Sequence, residues 1–137
     1  MSPPIPSKLL DEAISLHGHL GAFLLLGLKA GLYANKILGR NSFRMRAIVE
    51  TEPFPPLSCF VDGVQVATGC TMGKRNIELR KGRSLSVTFT RNGERIRLCL
   101  KNGLLKSLRE ISSKEESENM AMTLADRPIQ DLFIVEE

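Results

Sequence analysis

The segment "LSVTFTRNGERIRLCL", residues 85–100, constrains the fold more than any other part of the chain. Asn92-Gly93 favours a two-residue type I′ turn, which places Arg91 opposite Glu94. The register that follows pairs Phe89 with Ile96, Val87 with Leu98, and Leu85 with Leu100. These six apolar residues share one face, while Thr88, Arg97, Ser86 and Cys99 lie on the other. Turn chemistry and hydrophobic alternation therefore agree on an antiparallel hairpin.

Helical patterns dominate the first part of the chain. Apolar residues recur at helical spacing up to His17, with Ser7 as the expected N-cap. A second helix is predicted from about Leu20 to Leu38, ending at Gly39. It is apolar on nearly all sides, which predicts a central position in the core. Its small residues, Gly27 and Gly31 above all, predict close helix packing, within the chain or across a dimer.

Further elements complete an α+β pattern. A strand is predicted over 43–50, with Phe43, Met45, Ala47 and Val49 on one face. Ser58 suits the N-cap of a helix over about 59–68. A short helix is expected in "KNGLLKSLREI", a helix capped by Ser113 comes next, and the last strand is predicted in "DLFIVEE". The predicted class is α+β, with N-terminal helices packed on a mainly antiparallel sheet that contains the 84–101 hairpin.

Length and composition limit the function classes. The 137 residues predict a single domain, 1–137, with residues 1–6 as a flexible, proline-rich lead-in. The net charge of +4, without Trp and with one Tyr, argues against nucleic-acid binding. The start lacks the pattern of a secretory signal, and a cytoplasmic location is expected. The longest apolar run, residues 20–28, is far shorter than the roughly 20 residues of a membrane span.

Both histidines of the chain lie in the triplet "HGH". Residues two apart do not share a helical face, but Gly18 permits a turn at which the imidazoles of His17 and His19 converge. Imidazole is a common metal ligand and an acid–base group near neutral pH. The alternative is that His17 only ends the first helix and His19 only begins the second.

The stretch "CFVDGVQVATGCTMGKRN" contains two of the three cysteines. Cys59 is expected at the start of a helix, where free amides and the helix dipole would lower the pKa of its thiol. A small buried thiol is the alternative. Cys70 follows the same helix, about 16 Å further along at 1.5 Å per residue. A single straight helix cannot give both thiols to one zinc ion, because two ligands of one zinc lie within about 4 Å of each other.

The end of this stretch, "GCTMGK", is not a P-loop. Three residues rather than four separate its glycines, and Arg75 replaces the Ser or Thr that should follow the lysine. A nest of backbone amides flanked by Lys74 and Arg75 would still suit an anion.

Two segments together resemble the FmdE family, which is named after a component of formylmethanofuran dehydrogenase. "HGHLGAFLLLGLKAG" is similar to the family's His-Gly-His-x-Cys-Pro-Gly opening of a long helix. "CFVDGVQVATGCTMGKRNIELR" is similar to its Cys-x-x-Asp…Gln…Thr-Gly-Cys-Thr-x-Gly-Lys-x-Asn run. The resemblance implies a family core domain without the C-terminal zinc finger, a homodimer, and a cleft lined by His and Cys. Gly21 and Ala22 replace the family's Cys-Pro, so one thiol of the pattern is missing.

Three functions follow as hypotheses. The first is a metal-binding accessory or stand-alone member of that family, holding a divalent metal, most simply zinc, with ligands drawn from His19, Cys59, His17 and Cys70. Asp62 or Gln65 would then orient a ligand. The second is a small enzyme with His17, His19 or Cys59 as the reactive group and Lys74 with Arg75 as an anion site. The third is a non-catalytic protein that docks other enzyme subunits through Arg95 and Arg97.

Overall fold

The computed structural model describes residues 3–137, and within them the chain forms six α-helices and one five-stranded sheet. The helices are α1 (Ser7–His17), α2 (Ala22–Leu38), α3 (Phe60–Thr68), α4 (Asn102–Arg109), α5 (Lys114–Ala125) and α6 (Ile129–Leu132). The strands are β1 (Arg46–Thr51), β2 (Ile77–Lys81), β3 (Ser86–Arg91), β4 (Glu94–Leu100) and β5 (Phe133–Glu136). A 3-10 turn, Leu57–Cys59, leads into α3. The α+β prediction is confirmed.

The sheet has the order β2-β1-β3-β4-β5. Its β1–β2 pair is parallel, and the other three pairs are antiparallel. The hairpin has the predicted register, with Phe89 opposite Ile96 and Val87 opposite Leu98. Asn92 and Gly93 both have positive φ, as a type I′ turn requires. One face of the sheet carries the buried apolar residues that form a core with α2.

Helix α2 is the centre of the core, as its sequence predicts. Nine apolar residues of this helix are buried along with Lys29, whose Nζ donates to the Ala125 carbonyl at the end of α5. The glycines of α2 contact α3 of the same chain. A Cβ at Gly31 would come within 2.6 Å of the Ala67 Cβ, and one at Gly27 within 3.1 Å of the Gly63 Cα. The small residues of α2 thus allow close packing against α3 of the same chain, and they give no support to a dimer.

Two predicted boundaries are wrong. Strand β1 begins at Arg46 rather than at residue 43, because the Asn41 side chain accepts the amides of Phe43 and Arg44 and holds them in a turn. Phe43 is 78% exposed as a result. Helix α2 begins at Ala22 rather than Leu20.

Two predicted N-caps are wrong as well, and the lead-in is only partly described. Pro6 rather than Ser7 occupies the N-cap of α1, and Cys59 rather than Ser58 that of α3. Residues 1 and 2 of the predicted lead-in lie outside the described residues, and Ile5 packs against the core. Among residues 3–137, no helix combines the length and apolar character needed to cross a bilayer.

Candidate functional site

A cleft of about 150 Å³ lies where the α1–α2 connection meets the segment before α3. Three of the predicted site residues, His17, His19 and Cys59, line it together. The hydrogen bond from the Gly18 amide to the Ile14 carbonyl ends α1, and Gly18 itself is left-handed with φ of 110°. This turn brings the two imidazoles together, with ring centroids 5.1 Å apart. The prediction that the glycine lets the histidines converge is confirmed.

His17 is held by an acidic partner from α3. Its Nδ1 lies 2.7 Å from Oδ2 of Asp62, and the His17 side chain is only 12% exposed. The Gln65 amide is 3.5 Å from the other carboxylate oxygen of Asp62. An ionised carboxylate only accepts hydrogen bonds, so the Nδ1 of His17 carries the proton. In neutral His17 the lone pair is therefore on Nε2.

His19 has the same tautomer as His17, but its hydrogen-bond partner is a backbone carbonyl. Its Nδ1 lies 3.3 Å from the carbonyl oxygen of Leu20, which can only accept. The proton of neutral His19 is thus on Nδ1, and Nε2 is again the nitrogen with a lone pair. A hydrogen bond at one ring nitrogen that leaves the other free is the usual arrangement of metal-binding histidines.

The pKa of Cys59 is shifted in the direction opposite to the prediction. Burial raises the pKa of its thiol, and the nearby Asp62 carboxylate raises it further. A backbone hydrogen bond at Cys59 lowers the pKa, as expected near the start of a helix, but by less than the other two causes raise it. Cys59 is a neutral thiol near neutral pH, and a cation in the cleft would favour its ionised form.

Cys70 does not join the other three residues. The helical span of α3 and the left-handed Gly69 separate it from Cys59, as the sequence predicts. Its side chain is fully buried, and its thiol contacts the carbonyl oxygen of Met45 at 3.4 Å. The structure thus places Cys70 in the core beside the start of β1 rather than in the cleft.

Lys74 and Arg75 lie on a turn outside the cleft. The Lys74 ammonium is 5.3 Å from the centroid of the Phe43 ring. The turn uses its own amides: Cys70 donates to Thr68, Lys74 to Thr71, and Arg75 to Met72. An anion there would have the two cationic side chains, but these three amides are already bonded.

The side chain of Asn76 holds this turn in place through three hydrogen bonds. Its Oδ1 accepts the Thr71 amide at 2.9 Å. Its Nδ2 donates to the carbonyls of Ser42 at 2.7 Å and Met45 at 3.1 Å. The side chain is nearly buried and joins the turn to the segment before β1.

Sequence reasoning missed the contribution of α5 to this cleft. Ser117 lines the cleft, and its Oγ accepts the amide of Ala22, the first residue of α2. It thereby caps a helix 95 positions away in sequence. No local signal could reveal this contact.

Arg97, which the sequence suggested as a docking residue, is paired with Glu136 of β5 at 2.9 Å.

The donor set suits a borderline divalent metal, although its geometry is incomplete. Zinc is commonly bound by imidazole nitrogen and thiolate sulfur, the groups that line this cleft. Within residues 3–137, no three His, Cys, Asp or Glu side chains are close enough together to hold a metal ion. The imidazole pair has both Nε2 atoms available, whereas the thiol would have to ionise to act as a ligand.

Comparison with known proteins identifies the family. The family model described as "FmdE, Molybdenum formylmethanofuran dehydrogenase operon" matches residues 16–133. The chain belongs to this family. It is also 37% identical over 78 residues to a probable S-adenosyl-L-methionine-binding protein of Archaeoglobus fulgidus. That match covers 52% of this chain but only 20% of the relative.

Gly21, which replaces the cysteine of the family pattern, lies at the same cleft. A Cβ at this position would be 3.4 Å from Cε1 of His19 and 3.2 Å from Oγ of Ser117. Its backbone is extended, with φ of −139°, so any residue can adopt it. A thiol at position 21 would therefore start beside His19.

Proposed function

We propose that this chain is a metal-binding member of the FmdE family, acting as an accessory or stand-alone relative of the formylmethanofuran dehydrogenase component. His17, His19 and Cys59 would hold a divalent ion, most readily zinc, once their side chains move closer together than they lie in the structure. The observation that carries the proposal is the orientation of the imidazoles. Each Nδ1 is committed to an acceptor, Asp62 or the Leu20 carbonyl, which leaves each Nε2 available.

Asp62 would support the ion without binding it. A carboxylate on the far nitrogen of a ligating histidine fixes the ring orientation and makes the ligand more basic. The same carboxylate raises the pKa of Cys59, which opposes metal binding at low pH. Binding should therefore release a proton from Cys59, and the affinity should rise with pH.

With three protein ligands, the remaining coordination position would be open to water or to a substrate. A bound zinc ion polarises carbonyl groups and lowers the pKa of its water. This is the link to the enzyme hypothesis, in which the cleft acts on a small anionic substrate. The Asp62–His17 pair favours a metal-free form of this hypothesis, because with no ion at Nε2 of His17 such a pair can hold and move a proton there.

The test is a zinc titration of chelator-treated protein, prepared without a metal-affinity tag, against a chromophoric competitor. Wild-type protein should bind one ion per chain, and Cys59→Ser should weaken binding by about 10-fold or more. Cys99→Ser is the matched control, since Cys99 lies on β4 and contacts Arg97 instead of the cleft. The assignment is refuted if one zinc ion still binds per chain with unchanged affinity in both Cys59→Ser and His17→Ala. It is also refuted if the wild-type protein binds no zinc.

The homodimer is a separate proposal that rests on family resemblance. Light scattering at several protein concentrations measures the mass directly. A dimer should show about twice the 15.2 kDa of one chain throughout. A monomer mass at every concentration would contradict it.

A further inference from the structure

Strand β2 is an edge strand, since β1 is its only neighbour in the sheet that residues 3–137 form. Two hydrogen bonds show which backbone groups of this strand face β1. The Ala47 amide donates to the Asn76 carbonyl, and the Gly82 amide donates to the Thr51 carbonyl, each at 3.0 Å. In the parallel register of this pair, the residues that bond to β1 are therefore the even-numbered ones from 76 to 82.

The odd-numbered residues of β2 turn their amides and carbonyls away from β1. These residues are Ile77, Leu79 and Lys81, and together they form a row of outward-facing donors and acceptors. Lys81 is exposed, and Leu79 is 38% exposed. Such a row is a template for one more strand, as in proteins that bind a peptide by adding it to the edge of a sheet.

A pocket of about 270 Å³ lies at the start of this edge. Its lining includes Ile77 and Glu78, which are neighbours in the strand, so their side chains lie on opposite faces of the sheet. The pocket therefore opens at the edge and not on one face. Met72, which is 70% exposed, gives it an apolar wall, and Arg75 gives it a positive charge. It has room for one side chain of an added strand, and such pockets are what give strand addition its specificity.

The positive charge of the chain is concentrated at this edge. Residues 72–83 contain five cationic side chains and one carboxylate, a net charge of +4 that equals the net charge of the whole chain. The carboxylate belongs to Glu78, which already forms ion pairs with Arg46 and Arg80. A second copy of this edge would be repelled by the like charges, whereas an acidic strand would be attracted.

We propose that the β2 edge binds an extended acidic segment of another protein, which joins the sheet as a further strand beside β2. The segment would bond to the outward backbone groups of Ile77, Leu79 and Lys81, with its carboxylates near the cations and one apolar side chain beside Met72. Nucleic acid suits this edge less well, because phosphate oxygens only accept hydrogen bonds and would leave the outward carbonyls without a donor. The proposal does not depend on the metal site.

The experiment measures binding of a short fluorescent peptide, in which Glu and Val alternate, by fluorescence anisotropy. Two further peptides carry N-methyl groups, one on every Glu amide and one on every Val amide, so all three have the same charge. Alternate amides of a strand point to opposite edges, so one methylated peptide should bind about 10-fold weaker or more than the other. Equal affinities of the three peptides would overturn the proposal, as would equally tight binding of single-stranded DNA of the same charge. The absence of peptide binding at about 1 mM would also overturn it.

Hydrogen exchange measured by NMR locates the added strand on the protein. In the free protein, the amides of Leu79 and Lys81 should exchange fast, whereas those of Glu78 and Arg80, bonded to β1, should exchange slowly. Saturation with the peptide should slow exchange at Leu79 and Lys81 by about 10-fold or more. If the peptide binds and exchange at these two amides does not change, it lies elsewhere and the assignment is wrong.

Variants separate the backbone contribution from the charge contribution. Leu79→Pro removes an outward amide and no bond to β1, so the folded variant should bind the peptide about 10-fold weaker or more. Lys81→Glu should weaken binding about 3-fold or more at low salt. Arg95→Glu is the matched control, because it changes the net charge equally at an exposed position of β4, two strands away from β1. Unchanged binding in folded Leu79→Pro, or an equal loss in Arg95→Glu and Lys81→Glu, would count against the β2 edge.

Discussion

Replacing Gly27 with alanine tests how closely α2 and α3 must approach. The added Cβ would lie 3.0 Å from the carbonyl carbon of Phe60 and 3.1 Å from the Cα of Gly63, and closer still to the Phe60 oxygen. Optimal contacts between carbon atoms are about 3.5–4.0 Å. The obstacle is backbone, so no side-chain rotation can relieve it, and the helices must separate by roughly 1 Å or more to clear the Phe60 oxygen.

The expected cost follows from two opposing contributions. Overpacking a well-packed core costs about 1–3 kcal/mol and sometimes more, and a backbone obstacle favours the upper end of that range. Replacing glycine by alanine within a helix returns about 1 kcal/mol. The net loss for Gly27→Ala should be about 2 kcal/mol. For a chain of this length, that lowers Tm by about 6–10 °C.

Gly103→Ala is the matched control. Gly103 lies in α4, and a Cβ there meets no atom within 4 Å. This substitution should leave stability unchanged or raise it by up to about 1 kcal/mol. Urea unfolding and a thermal scan measure both variants. If Gly27→Ala were as stable as Gly103→Ala, the close helix contact would be refuted, and with it the explanation of why α2 carries glycine.

Three further predictions concern single side chains. Gly21→Cys should raise zinc affinity by about 10-fold or more in the chromophoric titration, because the new thiol starts beside the imidazole of His19, whereas Gly103→Cys should not. Alkylation of Cys59 by iodoacetamide, mapped by mass spectrometry, should be slow at pH 7, and its rate should still be rising with pH above the ordinary thiol pKa of about 8.5, where the rate of an unperturbed thiol levels off. Asp62→Asn removes a charge that raises this pKa, so it should speed alkylation at pH 8; an equal or slower rate would contradict the stated cause. Asn76→Ala should cost about 2–3 kcal/mol in urea unfolding, and a loss well under 1 kcal/mol would mean that its hydrogen bonds contribute little.

The sequence predicted the features that depend on neighbouring residues. The hairpin register follows from Asn92-Gly93 and from alternation, both of which are local. The start of β1 was predicted wrongly because alternation continues back to Phe43, whereas the Asn41 side chain binds the amides that a strand would need. Secondary-structure propensity and hydrophobic periodicity carry no information about which side chain accepts a hydrogen bond from a free backbone amide.

The candidate site was likewise predicted only where it depends on residues that are neighbours in the sequence. His17 and His19 are close because of one glycine, so their convergence can be read from three residues. The cap that Ser117 gives to Ala22 joins positions 95 apart, and nothing in "KEESENMAM" indicates it. The pKa of Cys59 was predicted with the wrong sign because burial, a tertiary effect, and Asp62, three residues along the chain, together outweigh the lowering by a backbone hydrogen bond.

Because Gly21 replaces the family cysteine, His17 and His19 have two possible explanations. They are either metal ligands or residues that only end α1 and precede α2, and the two explanations predict different effects of changing Asp62. If His17 were only the end of α1, the carboxylate at 2.7 Å would do no more than restrain a side chain that is only 12% exposed and satisfy its N–H. A ligand needs that restraint, because its orientation decides where Nε2 lies. Asp62→Asn keeps the shape and a hydrogen-bond partner but removes the charge, so it should weaken zinc binding by about 10-fold or more. A stability loss without any change in zinc affinity would make His17 a structural residue, and the metal would then have to rely on His19 and Cys59 alone.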